Sequence, residues 1–304
     1  MLDFIPKFFT EQAAIEKDFG PGALLFSTST LAHQAVCESL GSRARDLPVV
    51  MSVASPPQAI AGVLRAGAQP LLLDISLDTL QMSPEQLQEV LPEIGSALVY
   101  LYAPGSLPVD SRLLDITKQY PTLYCAGLPF DAAEQSVATF NILSFEELTG
   151  SGVLLAHGFE DQVSALKKIR SGLLGLDAGV PNALAAEIRA AIASFETVNT
   201  TRTQVISAYS TALDKRLEEV FTPDFFTVKV KNASVCVAHL HDHGIQAVHT
   251  VCPLHQHKDL SKRWIETPEY PQAEEAFKTF LSLPTNAGVR GMEKNIIEIL
   301  LEVA

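Results

Sequence analysis

Short apolar runs alternate with amphipathic stretches through the first two thirds of the sequence, and few folds accommodate that rhythm. ALLFS (23–27), PVVMSV (48–53), QPLLLDI (69–75), SALVYLY (96–102), TLYCAG (122–127), SVATFNI (136–142) and GVLLA (152–156) read as strands. Between them lie stretches with helical spacing: 29–41, ending at a glycine; 57–66; MSPEQLQEVL, where Ser83 is an N-cap with Glu85 and Gln86 in the first turn; and SRLLDITKQY. A strand with one wet face alternates polar and apolar residues. These runs are apolar nearly throughout, so both faces need cover. Such strands separated by helices predict an α/β fold, a mostly parallel sheet with helices on both sides.

After Asp161 the character changes. Residues 161–171 predict one helix, and a long helical stretch with few breakers runs from Asn182 to about Glu219. Beyond it FFTVKV (225–230) and SVCVAHL (234–240) read as short strands, followed by a His- and Pro-rich loop and two helices. The pattern predicts a large domain over 1–195 and a smaller α+β domain over 196–304, joined by the long helix.

Charge and cysteine usage remove several function classes. The chain carries 22 Lys and Arg against 35 Asp and Glu, a formal charge of −13. Nucleic acid and anionic membrane surfaces need clustered cations; none occur, so neither partner is expected. Cys37, Cys125, Cys236 and Cys252 form no CxxC pair, which suits reduced thiols in a cytoplasm. The opening MLDFIPKFFTEQ lacks the basic and apolar regions of a signal peptide, and no apolar stretch reaches the ~20 residues that span a bilayer. A cytoplasmic protein is expected.

More specific signals occur in a fixed order: LLFSTSTLAHQAVCESLG (24–41), AIAGVLRAGAQPLLLDIS (59–76), the set Asn182, Glu187, Ala190 and Ala191, then HDHGIQAVHTVCPLHQH (241–257) and PEYPQAEEAFKTFLSLPTNAGVRGMEKNIIEIL (268–300). Within the last two, PLH at 253–255, PxAEE at 271–275 and LSLP at 281–284 form a specific combination. Together they make the chain resemble the DegT/StrS family of sugar aminotransferases over most of its length from about residue 23. The resemblance implies a type I PLP-dependent aminotransferase fold: three layers around a mostly parallel sheet, with a smaller α+β C-terminal domain. It also implies a homodimer with a cofactor site at the subunit interface and a sugar-nucleotide ligand. Thr28-Ser29-Thr30 stands where the family's Ser-Gly-Thr opens the helix that receives the cofactor phosphate, which assigns Ser29 and Thr30 to that phosphate. Free amides and the dipole at a helix start suit an anion, and a Ser/Thr cluster there serves equally as a structural cap. Asn182 matches an asparagine that reaches toward the partner's cofactor site; capping a helix is the other role open to it.

The chain departs from the family at the chemistry. The Schiff-base lysine should follow FNILSF, ahead of Leu148-Thr149-Gly150-Ser151-Gly152, and that place is held by Glu146. A carboxylate cannot form an imine. Neither lysine nor arginine occurs between Lys118 and Lys167. The carboxylate expected at the ring nitrogen falls at Ala126 or Gly127, and Asp131 reaches that register only with an insertion. The resemblance, so modified, implies a degenerate homologue that has lost PLP Schiff-base chemistry and binds a sugar nucleotide or a protein partner in the old cleft, with no cofactor or with non-covalent PLP or PMP. The alternative is a lysine-free PMP- or PLP-dependent aminotransferase or dehydratase of amino- or deoxysugar synthesis, with Glu146 as its base. A metal site is not expected: His239 and His243 would share a helix face, with His249, His255 and His257 following, but Asp242 is the only local carboxylate before Asp259. GxSxG is absent, and Gly150-Ser151-Gly152 is too short for a nucleotide loop.

Overall fold

The structure, a computed structural model, describes residues 10–20, 22–40, 47–103, 107–126, 138–145, 154–158, 160–172, 179–220, 225–257 and 269–304. Helix α1 (Thr10–Phe19) leads into β1 (Ala23–Phe26) and α2 (Ser29–Ser39). Then follow β2 (Pro48–Ser52), α3 (Pro57–Arg65), β3 (Gln69–Leu73), α4 (Pro84–Ile94), β4 (Leu98–Tyr102), α5 (Ser111–Thr117), β5 (Thr122–Ala126), β6 (Phe140–Ser144), β7 (Leu154–Gly158) and α6 (Glu160–Gly172). The seven strands form one sheet in the order β1-β7-β6-β5-β4-β2-β3. From β6 to β3 every neighbour is parallel. Strand β7 runs antiparallel to both β6 and β1, so β1 points the same way as the parallel five.

Both faces are covered, which is why the strands are apolar throughout. On one face Leu98, Tyr100, Leu123 and Ile142 pack with α2, α3 and α6 through Val36, Ile60 and Leu166. On the other, Val99, Leu101 and Tyr124 meet α4 and α5 through Leu87, Leu91 and Leu113. At the β1 end this second face is closed by Ile15 of α1, with Ala185 and Ile188 against Leu25 and Leu143. The result is the three-layer α/β fold that the strand pattern predicts.

Helix α7 (Asn182–Leu213) is 32 residues long, about 48 Å. Its start belongs to the large core through Ala185 and Ile188; its end packs Val205, Tyr209 and Leu213 into a second core. No residue from 189 to 204 is buried. The 195/196 division falls within this uncovered middle. The helix stops where Asp214 and Lys215 turn left-handed at φ 47° and 60°, short of the expected Glu219.

The second core is built on β8 (Glu218–Val220), β9 (Phe226–Lys229), α8 (Ala233–Asp242), β10 (Val248–His249), α9 (Pro271–Thr279), β11 (Phe280–Leu283) and α10 (Glu293–Leu301). Its sheet has the order β10-β11-β9-β8, antiparallel throughout. One expectation is corrected here: SVCVAHL, read as a strand, lies in α8. Asn232 caps that helix by accepting from the Val235 amide at 3.2 Å, and the buried positions Ala233, Cys236 and Leu240 recur at helical spacing. The two cores are joined beyond α7, because Val251, Leu254, Tyr270, Ala273, Ala276 and Phe280 pack with the large-sheet cluster.

Candidate functional site

Strand direction places the candidate site on one rim. Phe26 of β1 and Ser144 of β6 both pair with Leu154 of β7, so β1 and β6 end level. Ala126 pairs with Leu143, and Tyr102 with Cys125, which carries the same rim across β5 and β4. The chain reverses between β3 and β4, on either side of β2, and ligands of open α/β sheets bind beyond such carboxyl ends.

Thr28 ends the turn after β1 with φ −144° and ψ 151°, an N-cap geometry. Its Oγ1 accepts from the Leu31 amide at 3.2 Å, and its carbonyl accepts from the Ala32 amide at 3.2 Å. A helix start leaves its first amides unpaired, and these two bonds leave those of Ser29 and Thr30 for an external acceptor. Ser29 is buried and Thr30 half-buried. Thr28 thus takes the capping role, while the geometry at Ser29 and Thr30 suits an anion.

This turn is held from behind by a residue the sequence reading passed over. His33 is buried; its Nδ1 lies 2.8 Å from the Ser29 carbonyl oxygen, and its Nε2 3.3 Å from the Tyr100 hydroxyl. A carbonyl can only accept, so Nδ1 carries the proton and Nε2 accepts from Tyr100. Burial depresses the imidazole from 6.5 to about 4, against a smaller raising effect of the Ser29 carbonyl, and His33 is neutral at pH 7. A lone histidine on an otherwise apolar helix face was the available signal. From the far side, Gly62 of α3 fits so closely that a Cβ there would lie 2.6 Å from His33 Cβ and 2.7 Å from the Thr30 carbonyl oxygen.

Beyond β2 the second core reaches the rim. The Leu254 amide donates to the Val53 carbonyl at 2.8 Å. Buried Asp74, just past β3, accepts from the amides of Gln272 and Ala273, both at 2.9 Å, and so caps α9 from across the molecule. His255 Nε2 lies 3.3 Å from Glu274 Oε1, and its ring is tilted on Tyr270 at 5.2 Å. Burial, with the Asp74 carboxylate nearby, pushes the Tyr270 hydroxyl up to about 12. Ser55 Oγ and His255 Nδ1 are buried polar atoms with no hydrogen-bond partner among the described residues.

Asn182 opens α7, but its Oδ1 accepts from the Glu11 amide at 3.0 Å, so its side chain serves the first turn of α1. Glu187 is exposed. Glu146 and Asp131 lie outside the described residues, as does the turn 148–152. Among the described residues, no group of three or more His, Cys, Asp and Glu side chains could hold a metal ion; His239 faces Glu302 at 3.2 Å, and its ring is tilted on that of His243 at 4.6 Å. Likewise, no helix among them is long and apolar enough to cross a membrane.

Pyridoxal phosphate makes two demands that can be tested on this rim. Its phosphate fits the start of α2. For its Schiff base, the only lysine among the described residues between β1 and β6 is Lys118, which leads into the start of β5 at the opposite end of the sheet, and no lysine or arginine occurs in the sequence between Lys118 and Lys167. Of the described lysines, Lys118 pairs with Asp115 at 2.7 Å and Lys229 lies over the Phe280 ring at 5.9 Å. Lys7, Lys258 and Lys262 lie outside the described residues.

This fold, a seven-stranded sheet with one reversed strand and a long helix bridging two cores, is similar to that of solved aminotransferases. Solved structures carry the likeness further. The chain is similar to a DegT/DnrJ/EryC1/StrS aminotransferase from Brucella abortus, with a TM-score of 0.77 at 18% identity over 96% of this chain and 90% of that one. PseC from Helicobacter pylori, an aminotransferase of pseudoaminic acid biosynthesis, matches with a TM-score of 0.79 at 14% identity, over 96% and 91% of the two chains. NtdA from Bacillus subtilis, solved with bound PMP, matches with a TM-score of 0.76 at 17% identity, over 92% and 72%. At these identities the likeness establishes the fold. No protein-family model and no curated protein matches the chain.

Proposed function

We propose that this chain is a sugar-aminotransferase homologue of the DegT type that has lost Schiff-base chemistry and binds a phosphate-bearing ligand, a sugar nucleotide first among them, on the rim. The observation that carries the reading is the span from 119 to 166, free of lysine and arginine, in which the resemblance aligns Glu146 with the family's lysine. An anion on the rim would be received by the amides of Ser29 and Thr30, and the orphaned Ser55 Oγ and His255 Nδ1 would meet polar groups of a ligand near β2. No covalent step is assigned to these residues.

The protein is taken to act as a cytoplasmic homodimer. The uncovered middle of α7, with no buried residue from 189 to 204, supports a partner subunit there, and the described cysteines form no disulfide. A second reading, a lysine-free enzyme that holds PMP or PLP non-covalently with Glu146 as base, is favoured by the α2 start alone, since that geometry suits a cofactor phosphate as well as a nucleotide. Absorbance titration of the purified protein with PLP and, separately, with PMP, each followed by dialysis, divides the two. Failure of both to bind while a uridine or thymidine diphosphate sugar binds is the expected result. Saturable binding of PMP with turnover of a keto-sugar nucleotide would replace the first reading with the second.

A further inference from the structure

A cleft of about 690 Å³ opens between the last turns of α7 and the first turns of α10. Its size falls within the roughly 300–1,000 Å³ of small-molecule sites. It lies beyond the uncovered middle of α7, and none of its lining residues belongs to the rim. Ala208 and Ala212 of α7 and Gly291 before α10 give it a wall of small residues. Depth separates the charges that line it: Asp214, Arg216, Lys294 and Glu298 are exposed, whereas Glu293 is only 8% exposed.

Asp74, Arg170 and Glu293 are the fully charged side chains buried among the described residues. Asp74 is matched by the amides of Gln272 and Ala273, and Arg170 by Glu16. Glu293 forms no hydrogen bond and no ion pair with any described residue. It stands at the start of α10, where the helix dipole favours a carboxylate, but a dipole offsets only part of what desolvation of a buried charge costs. Burial, and then the Glu293 charge, push the Tyr209 hydroxyl up, yet that hydroxyl donates to the Pro284 carbonyl at 3.1 Å. Lys294 is next in the chain, and successive side chains on a helix point apart. Arg216 is committed elsewhere: its Nη1 meets Glu298 at 3.3 Å, its Nε donates to the Leu213 carbonyl at 2.9 Å, and its Nη2 donates to the Ala212 carbonyl. With that pair set aside, the lining keeps two carboxylates, Asp214 and Glu293, against the one ammonium of Lys294. A ligand with a single positive charge balances it; an anion or a dication does not. No aromatic ring lines the cleft to hold a quaternary ammonium. A primary ammonium carries three donors on a compact head, which suits a recessed carboxylate.

We infer that this cleft binds a primary alkylammonium monocation, with its ammonium on Glu293 and its stem against Ala208, Ala212 and Gly291. The site is independent of the rim and of the function proposed for it. The test is calorimetry on the full chain at low ionic strength with n-butylammonium, with neutral n-butanol and with tetramethylammonium. Saturable binding of n-butylammonium is expected, with the other two about tenfold weaker or more, as loss of a charge-assisted hydrogen bond implies. Glu293→Gln, nearly the same in size, weakens n-butylammonium by the same factor. Lys294→Met, at an exposed position, removes a like charge and tightens binding severalfold. Equal binding of ammonium and alcohol, competition by sodium ion as strong as by n-butylammonium itself, or no saturable binding would overturn the proposal. So would a Glu293→Gln protein that melts lower yet binds n-butylammonium as wild type does, because the carboxylate would then serve α10 alone. If Glu293→Gln does not fold, Lys294→Met decides the matter: tighter binding supports the site, and unchanged or weaker binding overturns it.

Discussion

The tightest contact behind the rim is the crossing of α2 and α3 at Gly62, and replacing that glycine with alanine perturbs it by a single methyl group. Added to the backbone, the methyl carbon would lie 2.6 Å from His33 Cβ, 2.7 Å from the Thr30 carbonyl oxygen and 2.9 Å from the Gln34 amide nitrogen. Carbon atoms in good contact sit about 3.5–4.0 Å apart, so the helices would have to separate by roughly 1 Å. None of the three atoms can swing clear: two are backbone and the third is the root of a buried side chain. Overpacking of a well-filled contact costs about 1–3 kcal/mol, and this geometry belongs at the upper end. Alanine recovers about 1 kcal/mol of helix propensity. The net loss is about 2 kcal/mol, which in a chain of this size lowers Tm by roughly 3 °C. Scanning fluorimetry of wild type and Gly62→Ala side by side reads it. Because the Thr30 carbonyl is one of the displaced atoms, ligand binding at the start of α2 should weaken in the same variant. An unchanged or raised Tm would show that the helices part freely, and the tight-crossing argument would fail.

Three further outcomes follow from the same contacts. His33 takes its proton near pH 4 in the folded protein and near 6.5 when unfolded, so between those values the unfolded state binds more protons; stability present above pH 6.5 is lost as pH falls toward 4, by up to about 3 kcal/mol, and urea melts of His33→Gln across that window should show a shallower slope than wild type. Asp74→Ala removes the acceptor for the Gln272 and Ala273 amides and should cost about 1–3 kcal/mol in urea unfolding, with Asp74→Asn recovering part of it; equal losses in the two variants would refute the capping role. Glu16 accepts from Arg170, Gln12 Nε2 and the Leu25 amide, so Arg170→Ala leaves a largely buried carboxylate short of its cation and should destabilise by about 3–5 kcal/mol, while the double variant Glu16→Gln, Arg170→Met is expected to be milder than Arg170→Ala alone.

Much of the fold can be read from the sequence, and the exceptions have physical reasons. Strands such as β1, β2 and β4 of the large sheet announce themselves because they are buried on both faces and therefore apolar nearly throughout. The edges of the small sheet do not: β8 and β10 are short and half wet, and β11 follows directly on α9 with no turn residue to mark the change. SVCVAHL misleads because its β-branched residues outweigh local propensity, while the helix is decided by Asn232 at the cap and by burial at Ala233, Cys236 and Leu240. Of the candidate site, the Thr28–Thr30 turn is legible as an N-cap. The bracing of that turn by His33, Tyr100 and Gly62, and the reach of Asp74 to α9, join residues far apart in the chain; no local pattern encodes them.

The central claim is that no imine forms on this chain. Incubation with excess PLP, reduction with borohydride and measurement of the intact mass test it directly, with peptide mapping to place any adduct. The account predicts no stoichiometric pyridoxyl adduct. One pyridoxyl group per chain, mapped to a single lysine and prevented by competing PMP, would contradict it and restore covalent cofactor chemistry to this fold.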